Sequence, residues 1–236
     1  MNRSRHLFTD RRGGVSTGIY ESLNFRMNSE DPPENVRENF RRLGEKLGCA
    51  RLVLSRQEHT DTILQVDGSY VRADVYDPAP YVADGLVTRE ENLGLVIFTA
   101  DCVSILLAGD GVVAAVHAGW RGTALGIAAK AVGEMGCDPA SIRAWIGPAI
   151  GPCCYEVGDE VRAALLSRMG EAARPFFHGR NVDLQGLNRR QLENCGVGRV
   201  EVSPVCTRCS HEVYWSHRYT QGRRGVQAAA IVLCGQ

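Results

Sequence analysis

Two histidines and a cysteine in the first half of the chain have the residue types and positions of a metal centre. Cys102 and His117 each come after an apolar run that predicts a buried strand, and His59 lies in a polar turn beyond a third run. Strand ends are favoured places for reactive groups, because the sheet holds them rigidly while the adjoining loops leave room for a ligand. We therefore expect these three side chains to converge on one point.

Two imidazoles and one thiolate form a suitable set of zinc ligands. Catalytic zinc usually takes three protein ligands and leaves a fourth position for water or substrate. The ion then lowers the pKa of bound water or polarises an oxygen atom. The three residues are far apart in the sequence, so their spacing alone agrees equally well with a buried, apolar Cys102 and a core His117.

An anion site is predicted beside these residues. Gly119 and Gly122 indicate a turn that enters a helix, where backbone N–H groups and the helix dipole suit phosphate. Arg121 could add a bidentate contact, although the glycines could equally make only a tight strand-to-helix turn. The sequence has no Walker loop and no Gly-x-Gly-x-x-Gly segment, so nothing supports a nicotinamide cofactor.

A second group of potential ligands lies near the C-terminus. Cys206 and Cys209 form a Cys-x-x-Cys pair followed by His211, which is metal-like spacing, but only one such pair is present. Cys153 and Cys154 are adjacent in the sequence. Neighbouring side chains of an extended chain point to opposite faces, so we do not expect these two to act as a pair.

The apolar patterning places strands in clusters rather than in strict alternation with helices, which favours a layered α+β fold over a doubly wound sheet. No repeat or compositional break interrupts residues 1–236, so we expect one domain. Asp31 is the predicted N-cap of the first helix, and Gly48 its end. The strand candidates are 7–8, 52–54, 63–66, 95–98, 103–107, 112–116, 144–146, 200–202, 212–216 and 226–233, and the other helix candidates are about 123–135, 157–169 and 184–195.

Composition excludes several classes of function. Lys and Arg number 27, as do Asp and Glu, so the formal net charge is zero, unlike that of a dedicated nucleic-acid binder. No run of 18 apolar residues predicts a membrane span, and no long apolar segment follows the basic N-terminus as in a secretory signal. The nine cysteines are then best interpreted as reduced thiols, so we expect a cytoplasmic protein.

Five segments spread over the chain resemble the YfiH/DUF152 family, which was long labelled laccase-like multicopper polyphenol oxidoreductase and is now understood as purine nucleoside phosphorylases. Asp183-Leu184 and Ser216-His217-Arg218 fit the later part of the family pattern. The resemblance covers nearly the whole chain, and the combination is highly specific. The five segments are Gln57–His59, Ala83–Thr88, Thr99–Cys102, Val116–Gly122 and Ile146–Val157.

The resemblance implies that His59, Cys102 and His117 bind zinc, with copper as a substitute in vitro. It implies α/β/β/α layers, distantly related to toxin-type cysteine hydrolases. The implied reaction is phosphorolysis of adenosine, inosine, guanosine or S-methyl-5′-thioadenosine to the free base and ribose 1-phosphate, with adenosine deamination as a companion activity. The expected partners are a purine nucleoside and phosphate, and the expected assembly is a monomer or a small homo-oligomer.

For this reaction we expect specific roles around the metal. Arg121 and the Gly119–Gly122 turn are the candidates for placing phosphate. Asp101 is a candidate proton acceptor or hydroxyl binder, and Gln57 is a candidate to hold the base or the sugar. Cys102 would be essential, because its loss removes a metal ligand.

The chain departs from the family pattern at three places. Glu58 stands where a small apolar residue is usual, and His217 stands where a tyrosine is usual. The usual Gly-Arg before the final strand is Gly225-Val226 in this chain. Substrate preference is therefore open, and the neighbouring Arg223 or Arg224 is a candidate to replace the missing arginine.

Three other functions remain open at this point. A copper oxidase needs many imidazoles, commonly as His-x-His pairs, whereas this chain has six histidines and no such pair. A thiol hydrolase would use Cys102 as nucleophile and His117 as base. A metal-stabilised binding module would unfold when zinc is removed and would be inert toward nucleosides.

Overall fold

The computed structural model describes residues 4–235, and two stacked β-sheets form its centre. In chain order the strands are β1 (Ser4–Phe8), β2 (Leu52–Leu54), β3 (Ile63–Gln65), β4 (Gly85–Thr88), β5 (Gly94–Thr99), β6 (Val103–Gly109), β7 (Val112–Ala118), β8 (Arg143–Ile146), β9 (Phe177–His178), β10 (Asn181–Val182), β11 (Arg199–Val202) and β12 (Gln227–Leu233). The α-helices are α1 (Pro33–Leu47), α2 (Trp120–Ala124), α3 (Ile127–Met135), α4 (Asp159–Met169), α5 (Leu184–Asn194) and α6 (His217–Thr220).

Both large sheets are mixed. One sheet has the strand order β1-β12-β5-β2, and β5 pairs parallel with β2 but antiparallel with β12. The other has the order β11-β8-β6-β7-β4-β3, with parallel pairs at its two edges. A small hairpin joins β9 and β10.

The alternation of side chains along β7 shows how the layers are filled. Val113 and Ala115 pack into the core between the two sheets, whereas Val112, Ala114 and Val116 pack on the opposite face, in a core shared with α3 and α5. Successive side chains of a strand point to opposite faces, so a strand buried on both faces is apolar throughout.

The helices cover the outer faces of the sheets. Residues of α1 share a core with β5 and β12, and residues of α3 and α5 share another with β6 and β7. The order is therefore helix, sheet, sheet, helices. This confirms the predicted α+β fold with α/β/β/α layers.

The first helix begins differently from the prediction. Its N-cap is Pro32, without a side-chain cap, and Asp31 is not the cap. The Asp31 carboxylate is instead buried and accepts hydrogen bonds from Ser16 Oγ at 2.6 Å and Asn24 Nδ2 at 2.7 Å. The predicted end is confirmed, since Gly48 adopts a left-handed conformation with φ of 70°.

The predicted helix over 123–135 is two helices. Gly126 has φ of 80° and separates the five residues of α2 from the nine residues of α3. A left-handed residue interrupts the helical hydrogen-bond ladder, and glycine adopts this conformation without strain. The helix that contains Arg121 and Gly122 is therefore short and ends at Ala124.

Two strand expectations were also wrong or incomplete. Residues 212–216 form no strand, because the N–H groups of Val213 and Tyr214 donate to Ser210 O in a turn rather than to a neighbouring strand. The buried strand β4 was not among the candidates. The remaining predicted strands and helices agree with the structure to within a few residues.

None of the helices within residues 4–235 combines the length and apolar character needed to cross a bilayer. The predicted domain over 1–236 includes residues 1–3 and 236, which lie outside the described residues.

Candidate metal centre and its cavity

The three predicted ligands meet in the fold. The ligand atoms of His59, Cys102 and His117 all lie within 4.8 Å of one another. Cys102 Sγ is 3.8 Å from His59 Nε2, and the two imidazole rings are nearly perpendicular, with centroids 4.8 Å apart. Residues far apart in the sequence therefore form one compact donor set.

Each ligand is carried by a different element. His117 lies within β7 and is buried. Cys102 lies in the short loop between β5 and β6, and His59 lies in the turn between β2 and β3. One strand and two loops thus bring the three side chains together.

Asp84 organises this centre, although the sequence reasoning gave it no role. Its Oδ1 atom is 2.7 Å from His117 Nδ1 and accepts a hydrogen bond from the His59 backbone N–H at 3.0 Å. Its Oδ2 atom accepts from Thr60 N at 2.7 Å, Thr60 Oγ1 at 2.8 Å and Glu58 N at 3.2 Å. One buried carboxylate therefore holds both histidine ligands.

The hydrogen bonds of Asp84 explain an unusual backbone conformation. His59 has φ of 59°, in the left-handed region that residues with a Cβ rarely adopt. Such a conformation costs on the order of 1–3 kcal/mol unless the surroundings impose it. Three successive N–H groups, from Glu58 to Thr60, donate to the Asp84 carboxylate and impose it.

The sequence contained a signal for this residue. A metal-bound histidine almost always donates its second ring N–H to a carboxylate, carbonyl or water. Asp84 lies in the segment Ala83–Thr88 that resembles the family, immediately before β4. A search for the outer partner of each predicted histidine ligand would have indicated it.

The charges of the centre reinforce one another. Burial acts to raise the pKa of Asp84, but hydrogen bonds from His117 and Thr60 outweigh it and hold this pKa at about 2. Burial likewise opposes ionisation of Cys102, yet the adjacent His117 and the hydrogen bonds from both histidines lower the thiol pKa to about 6. Burial lowers the pKa of His117, and the Cys102 thiolate and Asp84 raise it to about 9.

This donor set fits a zinc ion. Zn–S and Zn–N bonds of about 2.3 and 2.0 Å in tetrahedral geometry place sulfur and nitrogen roughly 3.6 Å apart. The observed distance between Cys102 Sγ and His59 Nε2 is 3.8 Å. Asp84 occupies Nδ1 of His117, which leaves Nε2 as the ligand atom. Three protein donors leave one coordination position for another molecule.

Gly119 is required by close packing against the ligands. A Cβ atom at this position would lie 2.9 Å from His59 Cδ2 and 3.4 Å from Cys102 Sγ. Arg121 stacks on the Trp120 ring, with its guanidinium carbon 4.2 Å from the centroid. It lines a cavity of about 560 Å³ that His59 also lines. The predicted anion role of Gly119, Arg121 and Gly122 therefore concerns this side of His59, at the start of a five-residue helix.

Gln57 makes two hydrogen bonds to the backbone of Phe98. Its Nε2 donates to Phe98 O at 2.8 Å, and its Oε1 accepts from Phe98 N at 2.7 Å. These bonds fasten the turn that carries His59 to β5. We therefore reinterpret Gln57 as a positioning residue, which also lines a cavity beside the three ligands.

Asp101 is likewise held by the protein. Its Oδ1 accepts from Thr207 Oγ1 at 2.6 Å, and its Oδ2 accepts from Arg218 N at 2.6 Å and Ser216 Oγ at 3.1 Å. Asp101 is buried and has φ of 86°. Both oxygens face protein donors, so we reinterpret Asp101 as a residue that positions Cys102 rather than as a proton acceptor.

A cavity of about 370 Å³ opens directly on the three ligands. Phe25, Phe98 and Val226 give it an apolar wall, and Arg26, Arg56 and Arg224 bring positive charge. Its volume lies within the range of small-molecule sites, at roughly 300–1,000 Å³.

Arg224 differs from the other two arginines of this cavity. Arg56 pairs with Glu58 at 2.9 Å, and Arg26 donates to the carbonyl groups of Gly222 and Arg224. Arg224 donates from Nη1 to Gly225 O at 3.0 Å, and its Nη2 lies 3.2 Å from His217 Nδ1. Its buried Nε has no hydrogen-bond partner, and no salt bridge within residues 4–235 includes Arg224. Burial and the neighbouring Arg26 lower its pKa. Arg223 is exposed, so Arg224 is the residue that the structure places in the cavity.

The cysteine cluster near the C-terminus differs from the prediction. Cys153 and Cys154 lie on a turn, where Cys154 N donates to Gly151 O, so the alternation of an extended chain does not apply. Both sulfur atoms are close to Cys209 Sγ, at 3.6 and 3.4 Å. His211 instead stacks on Tyr219, with ring centroids 3.5 Å apart.

Residues 5–234 match the sequence pattern of a family described as multi-copper polyphenol oxidoreductase laccase. The chain belongs to this family. Its solved relatives include the YfiH protein of Bacillus licheniformis, with 34% identity, a TM-score of 0.91, and coverage of 98% of this chain and 92% of that one. The resemblance seen in the sequence motifs is therefore confirmed.

Curated members of the family carry an enzymatic name. A purine nucleoside phosphorylase of Deinococcus radiodurans is 40% identical over 237 residues, which are 97% of this chain and 88% of that protein. A purine nucleoside phosphorylase of Streptomyces coelicolor is 39% identical over 226 residues, or 92% of this chain and 91% of that protein. The similarity thus extends over almost the full length of this chain and of each of the two relatives.

Proposed function

We propose that this protein is a zinc-dependent purine nucleoside phosphorylase. The observation that carries the proposal is the donor set of His59, Cys102 and His117 at the wall of a 370 Å³ cavity that also holds Arg224. Family members of similar length are named purine nucleoside phosphorylases, which supports the same reaction.

Phosphorolysis exchanges one bond at C1′ of the ribose. The N-glycosidic bond breaks, its electron pair leaves with the base, and the base takes up a proton. A phosphate oxygen forms the new bond to C1′, which gives ribose 1-phosphate. The protein must therefore bind a flat aromatic base, place an anion beside C1′ and stabilise charge in a site that excludes water.

The cavity offers distinct surfaces for base and phosphate. Phe98, with the buried Phe25 stacked against it, gives the cavity an aromatic and apolar wall that suits the flat face of a purine. Arg224 lines the same cavity and has one N–H without a partner, and a guanidinium binds phosphate with charge-assisted hydrogen bonds. Arg121, on the other side of His59, is the second candidate for contact with the anion.

Zinc, when bound, would supply Lewis-acid activation of an oxygen atom. His59, Cys102 and His117 would hold it, Asp84 would orient the His117 imidazole and hold the backbone of His59, and Gly119 would leave room for the ligands. The same centre also supports the companion deamination of adenosine, in which water replaces the 6-amino group and ammonia leaves.

Product analysis tests the proposal. The purified, zinc-loaded protein is incubated with adenosine, inosine, guanosine and S-methyl-5′-thioadenosine, with and without phosphate. We expect free base and the sugar 1-phosphate only when phosphate is present, which is ribose 1-phosphate from the first three nucleosides and 5-methylthioribose 1-phosphate from the fourth. Without phosphate we expect inosine plus ammonia from adenosine. Absence of phosphate-dependent base release from all four nucleosides would refute the phosphorylase proposal.

A thiol hydrolase is the second candidate, because Cys102 and His117 are adjacent and the thiol pKa is lowered to about 6. Zinc on the thiolate would block that chemistry. A chelator should therefore abolish phosphorolysis but activate a thiol hydrolase. A copper oxidase would reveal itself by visible absorption of the copper-loaded protein.

The cellular setting stays a prediction. The nine cysteines are free thiols in the structure, which agrees with a reducing compartment such as the cytoplasm. A monomer or a small homo-oligomer remains the expected assembly.

A further inference from the structure

We infer that Cys153, Cys154, Cys206 and Cys209 bind a second zinc ion, with a structural role. The four sulfur atoms all lie within 4.8 Å of one another. Four thiolates around one zinc, with bonds of about 2.3 Å, lie roughly 3.8 Å apart. The distances from Cys209 Sγ to Cys153 Sγ and Cys154 Sγ are 3.6 and 3.4 Å.

Two separate segments supply these sulfur atoms. A turn after Gly151 directs Cys153 and Cys154 to the same side, and a Cys-x-x-Cys turn carries the other two. The segments are joined at Ala149 and Cys206 by a parallel bridge, and Gly151 N donates to Cys206 Sγ at 3.3 Å. Closed, tetrahedral zinc sites are commonly built in this way, with two cysteine ligands from each of two neighbouring turns.

The surroundings favour bound thiolates. The Gly151 N–H that donates to Cys206 Sγ would stabilise a thiolate at this position. Arg208 places its guanidinium 3.5 Å from Cys154 Sγ, where positive charge offsets the excess negative charge of four thiolates on a divalent ion. Four soft ligands in a tetrahedral arrangement suit zinc or iron, and we commit to zinc.

The proposed second zinc site would help to hold the candidate active centre in place. Thr207 lies between the two cysteines of the Cys-x-x-Cys turn, and its hydroxyl donates to Asp101 Oδ1 at 2.6 Å. Asp101 directly precedes the ligand Cys102. Ile150 N, in the neighbouring segment, donates to Asp101 O at 2.9 Å. A zinc ion that fastens both segments would therefore also fix the backbone next to Cys102.

Metal counting on three variants tests the inference without any activity assay. The full chain is expressed with added zinc and purified under reducing conditions, and its zinc and iron contents are measured. We expect about two zinc ions per chain in the wild type and about one in Cys102→Ala. The double variant Cys206→Ser/Cys209→Ser should also hold about one, and the control Cys137→Ser about two.

A wild type with about one zinc ion, lost completely in Cys102→Ala, would overturn the inference. So would iron in place of the second zinc, seen as the red colour of an iron–thiolate centre, or a disulfide among the four cysteines. If Cys206→Ser/Cys209→Ser does not fold, the zinc that remains in the folded Cys102→Ala protein still decides the question.

Alkylation of the unmodified chain gives an independent test. Cys153 and Cys209 are exposed, so as free thiols they should react quickly with iodoacetamide. We expect mass spectrometry to show slow labelling of the four cysteines in the zinc-loaded protein and at least about tenfold faster labelling after chelation. Cys137 and Cys234 serve as internal controls. Equal labelling rates with and without chelator would contradict a metal at the cluster.

Discussion

Cysteine sulfur is gathered at two places in this protein, and the two places differ in their partners. Cys102 meets two imidazoles, one buried carboxylate behind them and a cavity in front. Cys153, Cys154, Cys206 and Cys209 meet one another, with backbone N–H groups and one arginine around them. Three donors leave a coordination position free for chemistry, whereas four thiolates complete the tetrahedron.

The contrast also concerns how rigidity is achieved. At the first place a buried carboxylate, Asp84, fixes both histidines and imposes a left-handed backbone on His59. At the second place, two turns are fastened side by side, and we propose that the metal itself completes their attachment. Thr207 and Asp101 connect the two, so the second place supports the first.

Cys102→Ala should have the largest effect on activity. Loss of the thiolate removes one of three zinc ligands, and we expect phosphorolysis to fall by on the order of 100- to 1000-fold. The measurement is release of free base in the presence of phosphate. Cys137→Ser, which changes a thiol outside both groups, is the control and should keep wild-type activity. Full activity of Cys102→Ala would show that the centre with three ligands takes no part in the reaction.

Asp84→Asn should weaken zinc binding at the first place by roughly 10- to 100-fold, because outer partners of metal-bound histidines have effects of this size. Competition with a chelator measures the affinity, and excess zinc should restore most of the activity. Asp67→Asn, at an exposed turn, is the matched control. Unchanged affinity in Asp84→Asn would show that the His117 contact does not tune the metal.

Arg224→Met should act on phosphate rather than on the metal. Hydrogen bonds to charged groups contribute about 1.5–3 kcal/mol, so we expect KM for phosphate to rise roughly 10- to 100-fold. Zinc content should stay the same. Arg223→Met changes the exposed neighbour and should leave KM unchanged. If Arg121→Met raises KM for phosphate and Arg224→Met does not, the anion lies on the other side of His59.

Proton release on zinc binding should show the smallest effect. With a pKa of about 6 for Cys102 and about 9 for His117, the metal-free protein at pH about 7.5 holds a thiolate and an imidazolium. Zinc displaces the His117 proton, so we expect about one proton to be released. Calorimetry in buffers of different ionisation enthalpy measures it. Affinity should weaken as the pH falls, and a binding enthalpy independent of the buffer would contradict the charge pairing.

Much of the fold could be predicted from local sequence, because burial on both faces makes strands such as β7 continuously apolar. The start of α1 and the break at Gly126 could not. Asp31 found buried partners in Ser16 and Asn24, and the chain turned where glycine allowed a left-handed residue. The first outcome depends on contacts between Asp31 and an earlier loop, and the second on the backbone conformation of a single glycine.

The site shows the same division. Residue types and strand ends indicated His59, Cys102 and His117, while Asp84 was missed because its role depends on contact with two distant histidines. The pairing of Cys153 with Cys154 was excluded on the assumption of an extended chain, and a turn overturned it. Side-chain direction in loops follows from tertiary hydrogen bonds that local patterning does not contain.

Cobalt substitution tests the contrast between the two places most directly. Visible spectra of the Co²⁺-loaded wild type and of Co²⁺-loaded Cys102→Ala are compared. Bands that are present only in the wild type belong to the site with three ligands, and bands that are present in both proteins belong to the four thiolates. On addition of inosine or phosphate, we predict a shift of the first set and no change in the second. Bands that shift equally in Cys102→Ala, or no shift in either protein, would contradict the assignment of an open site beside the cavity and a closed one behind it.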